Sequence, residues 1–176
     1  MTSEPSGVGR VSSSVAPPPS RAHRTGVRCR AVPKLLVIED GDEYEEFARL
    51  FLSERFDPIV SAHSAKEALE RVEGAEALLI DLRFERARVE DLLGDLNDVA
   101  KRLFAGDRDR ATRWLKEQQG TLILGALREA GHVQPAVFVH DFPKRRLINL
   151  GKLYGAVGAV AAFDAKAIVQ TLESLT

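Results

Sequence analysis

The chain has 176 residues, 44% of them hydrophobic and 29% charged, with a formal net charge of -1. That is enough for one soluble globular domain plus extra material. No apolar run approaches the ~20 residues that span a bilayer and no apolar h-region marks a secretory signal. A single cysteine, Cys29, excludes an internal disulfide framework and a cysteine-rich metal site, which makes a reducing cytoplasm the expected setting.

Residues 1–32 carry five arginines against one acid, Glu4, within Ser-, Pro- and Gly-rich stretches such as SSSVAPPPS. Such a segment cannot bury enough apolar surface to offset its ordering entropy. It is predicted to be a disordered basic tail, a solubilising leader with at most weak contact to nucleic acid. The remaining body, 33–176, is correspondingly acidic.

From Lys34 the pattern changes. KLLVIED is a short apolar run suited to a strand buried on both faces. EYEEFARLFLSERF follows as a helix, with Tyr44, Phe47, Leu50 and Phe51 at helical spacing. PIVSAH is a second strand. SAKEALERVEG is a helix opened by Ser64 and Glu67 as a capping box, with Ala68, Leu69 and Val72 as its apolar stripe. ALLIDL is a third strand. Further on, TLILGALREAGH reads as a helix beginning near Thr121 and stopped by Gly131, and PAVFVHDF as a fourth strand. RRLINLGKLYG is a helix, AVAAF a fifth strand, and DAKAIVQTLESL a last helix capped by Asp164. Between Asp81 and Thr121 lies a segment outside this alternation. VEDLLGDLNDVAKRLF sets Val89, Leu92, Leu93, Leu96, Val99, Ala100 and Leu103 on one helical face, and DRDRATRWLKEQQ continues as a second helix. Residues 84–119 are therefore predicted to be an inserted helical hairpin, packed on the body or offered to a partner.

Alternating strands and helices imply an α/β fold with a doubly wound parallel sheet. Sites in such sheets form beyond the carboxyl ends of the strands. The residues there are Glu39 and Asp40 after the first strand, Asp81 after the third, and His140 and Asp141 after the fourth. Adjacent carboxylates at buried strand ends repel, and a hard divalent cation relieves them. Mg²⁺ takes carboxylate, carbonyl and water oxygens at ~2.0–2.1 Å and would orient a carboxylate nucleophile toward a phosphoryl group. Asp42 and Glu43 read as first-turn helix acids favoured by the macrodipole. His23, His63 and His132 show no metal-ligand spacing, and Trp114 reads as a packing anchor or a partner contact.

KLLVIEDGDEY, SAHSAKEALERVEGAEALLIDL and GTLILGALREAGHVQPAVFV, in that order, resemble the receiver domains of two-component response regulators. The resemblance covers residues 34–83 and 120–175. It implies a CheY-like, flavodoxin-like five-stranded sheet in the order 2-1-3-4-5. It matches Glu39 and Asp40 to the metal-binding pair, Asp81 to the phosphorylated aspartate, and the Arg83 carbonyl to a third Mg²⁺ ligand. It also implies a signalling module rather than an enzyme, with protein partners such as a histidine kinase. Partners would be met through the insertion or the fourth–fifth helix–strand face, which also serves homodimers.

Three departures stand out. His140 occupies the place of the family's hydroxyl residue on the fourth strand. Ala161 or Ala162 stands where the family has lysine, with Lys166 too far on. The aromatic switch position is small unless Phe163 serves. Any phosphoryl group would then be read through His140, Lys144 or Arg145. The leading expectation is a stand-alone atypical receiver acting through protein contacts. One alternative is a non-phosphorylated pseudo-receiver scaffold or a subunit of a larger assembly. Another is a Mg²⁺-dependent phosphohydrolase or TOPRIM-like enzyme, suggested by Asp40-x-Asp42 and by the glutamate strand.

Overall fold

The computed structural model describes residues 32–161 and 163–176. Expectations placed on residues 1–31, including Cys29 and His23, and on Ala162 lie outside the described residues. Five strands, β1 (Lys34–Ile38), β2 (Ile59–Ala62), β3 (Ala75–Ile80), β4 (Ala136–Val139) and β5 (Val157–Val160), pair in parallel in the order β2-β1-β3-β4-β5. The helices are α1 (Glu43–Phe51), α2 (Ala65–Arg71), α3 (Leu96–Phe104), α4 (Arg108–Glu129), α5 (Lys144–Tyr154) and α6 (Ala165–Ser174).

The central strands are apolar on both faces because both faces are covered. Leu36, Ile38, Leu78, Ile80 and Phe138 point to a core closed by α2, α4 and α5. Their neighbours Leu35, Val37, Leu79 and Val137 point to a second core closed by α1 and α6. No helix among the described residues is long and apolar enough to cross a membrane.

Several elements differ in detail from the sequence reading. In α1 the inward turn is Tyr44, Phe47, Ala48 and Leu52, so Leu50 and Phe51 are exposed. In α2 the buried stripe is Ala65, Ala68 and Val72, with Leu69 left outside. Ser64 caps Glu67, while the Glu67 carboxylate accepts from the His63 amide at 3.3 Å rather than from that of Ser64. β5 sits two to three residues earlier than AVAAF. Almost any four-residue window of this small apolar run could serve, and pairing of Ala136 with Val157 through Val139 with Val160 selects VGAV. Asp164 caps α6 as expected, accepting from the Ala167 amide at 2.9 Å.

The insertion departs most. Its first predicted helix is broken. Val89–Asp91 make one 3₁₀ turn, and Gly94 adopts a φ of 123°, a left-handed conformation that ends it. Asp95 then restarts the chain as α3 by accepting from the amides of Asn97 and Asp98 at 2.9 and 3.0 Å. The second predicted helix does not end before Thr121. It is the front of α4, capped by Asp107 and unbroken over 22 residues. The hairpin of α3 and the front of α4 closes over Ala100, Ala111 and Leu115. Replacing Asp95 with alanine removes both cap bonds and is expected to cost about 1 kcal/mol. Hydrogen exchange should show Asn97 and Asp98 amides losing protection while the β1 and β3 amides keep theirs.

Gly120 explains why α4 runs on. The helix crosses the exit of β3 so closely that a Cβ at Gly120 would overlap the Asp81 carbonyl oxygen and lie 3.0 Å from the Leu82 Cα. The Gly120 amide donates to the Leu82 carbonyl at 3.0 Å, and the Lys116 carbonyl accepts from the Phe84 amide at 2.9 Å. Buried Gln119 adds a second tie, accepting from the Leu93 amide and donating to its carbonyl.

Candidate functional site

Register brings the expected residues to one edge. Ile80 pairs with Ile38 on one side and with Phe138 on the other. The residues that follow, Asp81, Glu39 and Val139, therefore reach the same level of the sheet, with Asp40 and His140 just above. Asp40, Tyr44, Asp81, Arg83, Arg86 and His140 line an open cleft of about 430 Å³ at this edge.

Asp81 is partly buried, and one carboxylate oxygen accepts from the Arg83 amide at 3.2 Å. Burial, reinforced by the negative charges of Asp40 and Glu39, pushes its carboxyl up to about 6 against the amide bonds that oppose it. The Tyr44 phenol feels the same charge. Burial and the Asp81 carboxylate raise its pKa, which keeps it a neutral hydroxyl beside the acid.

Glu39 and Asp40 have different duties. Glu39 is 1% exposed and does not line the cleft. Its two oxygens accept from the amides of Tyr44 and Glu45 at 2.9 and 2.7 Å, so it caps α1 in place of Asp42, whose side chain makes no cap bond. Burial raises its pKa, with the two amide bonds opposing. Asp40 faces the cleft, and its Oδ2 accepts from the amides of Arg86 and Ala87, tying β1 to the loop that leads into the insertion. Asp40 and Asp81 place carboxylates in the same cleft, oxygen ligands of the type Mg²⁺ takes.

His140 lies on the cleft wall, edge-on to Phe142 at a centroid distance of 5.0 Å. Burial, then the charges of Arg83 and Arg146, lower its pKa, so at neutral pH it is an uncharged imidazole. Lys144 and Arg145 are exposed on α5 and do not line the cleft; its basic groups are Arg83 and Arg86. Lys166 faces a separate hollow beside Phe47, Phe51 and Phe163. Phe163 stacks on Tyr44 at 4.8 Å, on the side of the site where the sequence left the aromatic position open.

Three residues were not singled out for this site from sequence. Arg86 forms a two-point ion pair with Glu43, and the pair covers Gly41 so closely that a Cβ there would overlap both side chains. Tyr44 enters as a neighbour of Asp81 rather than as part of an apolar stripe. Only the Asp–Gly–Asp spacing hinted at a tight turn here. His63 also has company. Its ring, Asp42 and Glu45 place one ligand atom each within 4.8 Å of one another, brought together from the exit of β2 and the start of α1. Glu45 there already accepts from the Arg49 guanidinium at 2.8 and 2.6 Å.

The sheet order, the helices on both faces and the acids at the carboxyl edge define a receiver-like α/β fold. No family model and no curated protein matches the chain. Solved structures do. The receiver domain of the Francisella response regulator 1452 superposes with a TM-score of 0.52 at 16% identity, covering 81% of this chain and 95% of that one. A Vibrio cholerae chemotaxis protein of the CheY type gives 0.54 at 15% identity, covering 83% and 100%. The receiver domain of NtrX from Brucella abortus gives 0.54 at 14%, covering 81% and 97%. At these identities the likeness is one of fold.

Proposed function

We propose that this protein is an atypical receiver that accepts a phosphoryl group on Asp81 and signals through contacts with other proteins. The observation that carries the reading is Asp81 itself. It is a carboxylate at the end of β3, level with Glu39 and just below Asp40 on the neighbouring chain segment after β1, held near a pKa of about 6 in a cleft open to a phosphate donor. At neutral pH it is largely ionised and nucleophilic. An oxygen of Asp81 forms a bond to phosphorus while the bond from phosphorus to the donor breaks, and the donor group leaves with its electron pair. Asp40, Asp81 and the Arg83 carbonyl would hold Mg²⁺, which when bound offsets the charge gathering on the phosphoryl oxygens. His140, uncharged, offers a ring N–H where a hydroxyl would otherwise stand. A histidine kinase is the natural class of donor. Partners would meet the α3–α4 hairpin or the α5 face, where Ile148 and Leu153 are exposed, and a second copy of the chain could use that same α5 face.

A second reading is a scaffold whose acids are structural. Its support is the engagement of Glu39 with α1 and of Asp40 with the loop amides. Incubation with acetyl phosphate and Mg²⁺, followed by intact-mass measurement, separates the two. One phosphoryl addition that is lost in Asp81→Asn is expected. Absence of addition together with absence of Mg²⁺ affinity selects the scaffold. Turnover of small phosphate esters that disappears in Asp40→Asn would instead point to a hydrolase.

A further inference from the structure

We propose that Arg86 grips the phosphoryl group on Asp81 and that Glu43 holds this arginine in reserve until the group arrives. The inference rests on the phosphoacceptor reading above. It starts from an imbalance of charge. Among the described residues, the Asp81 carboxylate accepts from the Arg83 backbone amide and forms no ion pair with a cationic side chain. Yet two guanidinium groups, those of Arg83 and Arg86, line the same cleft. Arg83 makes no side-chain ion pair among the described residues, whereas Arg86 is held by Glu43.

Arg86 is placed for a change of partner. Its backbone is fixed, because its amide donates to Asp40. Its side chain is not, because the pair it makes with Glu43 is exposed at both ends. Exposed ion pairs are weakly held and exchange at little cost. Glu43 offers one negative charge through two oxygens. A phosphoryl group offers nearly two charges and three oxygens, and the planar guanidinium fork matches it at two points. The pivot is thus a fixed Cα between a monoanion and a stronger anion, in a cleft with no lysine among its lining residues to compete. Gly41 leaves the space beneath the reserve position.

The test uses the full chain and beryllofluoride, a phosphoryl mimic, titrated calorimetrically in Mg²⁺, with Mg²⁺ alone titrated first. Arg86→Gln is expected to weaken beryllofluoride binding by about tenfold or more, because a charge-assisted two-point contact is lost. Its Mg²⁺ affinity should not fall. Glu43→Gln is expected to tighten beryllofluoride binding several-fold by releasing Arg86. If the unaltered protein binds beryllofluoride and Arg86→Gln binds it equally well, the role of Arg86 is overturned and the phosphoacceptor reading stands. An equal loss of Mg²⁺ and beryllofluoride affinity in Arg86→Gln also overturns it, since the arginine would then only shape the loop. If the unaltered protein binds no beryllofluoride in Mg²⁺, the phosphoacceptor reading fails and takes this inference with it.

Discussion

Gly120→Ala is expected to destabilise the protein by about 2 kcal/mol, although alanine is the better helix former. In an exposed helix the exchange would stabilise by up to ~1 kcal/mol. Here the new methyl group would run into the Asp81 carbonyl oxygen and press on the Leu82 Cα. Both are backbone atoms held in place by bonds from Asp81 to Ile38 and from Gly120 to Leu82. Overpacking against atoms that cannot yield costs ~1–3 kcal/mol, and this contact belongs at the upper end. Gly151→Ala is the control. Gly151 also lies within a helix, α5, but a Cβ there meets nothing within 4 Å, so the propensity gain should appear unopposed. Urea unfolding read by circular dichroism should give opposite signs for the two variants. Stabilisation by Gly120→Ala would mean that α4 does not press against the β3 exit.

Asp81→Asn is expected to raise stability at pH 7 by about 2 kcal/mol in the absence of Mg²⁺. The folded carboxyl titrates near 6 and the unfolded one near 3.8. Because the folded pKa is raised, the contribution of Asp81 to stability is fully present below pH ~4 and is lost as the pH rises through about 6. Above that the ionised acid costs a constant amount. A tenfold weakening of an acid on folding is worth about 1.4 kcal/mol, discounted here because the group is partly exposed. Asparagine removes this cost. The two proteins should therefore differ at pH 7 and converge below pH ~4, when their urea midpoints are followed from about pH 3.5 to pH 8, a range that brackets both ionisations. A constant difference across that range would show that the carboxyl is not perturbed. Saturating Mg²⁺ should narrow the gap at pH 7, because a cation relieves the charge that asparagine lacks.

The parts of this fold that showed in the sequence are those where one local rule decides. Continuous apolar runs marked β1 and β3, because strands covered on both faces need no polar alternation. Ser64 and Asp164 marked helix starts through side chains that reach their own backbone. Glu39, Asp40, Asp81 and His140 could be gathered because the carboxyl ends of parallel strands share an edge. What did not show depends on contacts between distant segments. Nothing in EYEEF says that Glu39, rather than Asp42, caps α1, since that choice depends on how the chain turns through Gly41. Leu50 and Leu69 carry the right spacing for burial, yet the helices are rotated so that Ala48, Leu52, Ala65 and Ala68 face the sheet. The join at Thr121 was invisible because a glycine within a helical pattern signals a stop unless another backbone lies against it. Arg86 and Glu43, forty-three positions apart, meet where Asp40 holds the Arg86 and Ala87 amides.

The crossing at Gly120 also sets a length scale. Helix α4 rises ~1.5 Å per residue, so the twelve residues from Arg108 to Gly120 form an arm of about 18 Å that extends from the β3 exit to the turn joining α3 and α4. Leu82 and Phe84 grip the helix near its middle rather than at its end. A pivot of ~5° at that grip would carry the α3–α4 turn through about 1.6 Å for a helix of this rise, while the grip itself moves by a few tenths of an ångström. For a rigid rod of this length, a displacement where the helix crosses the residue after Asp81 would be several-fold larger at the α3–α4 turn.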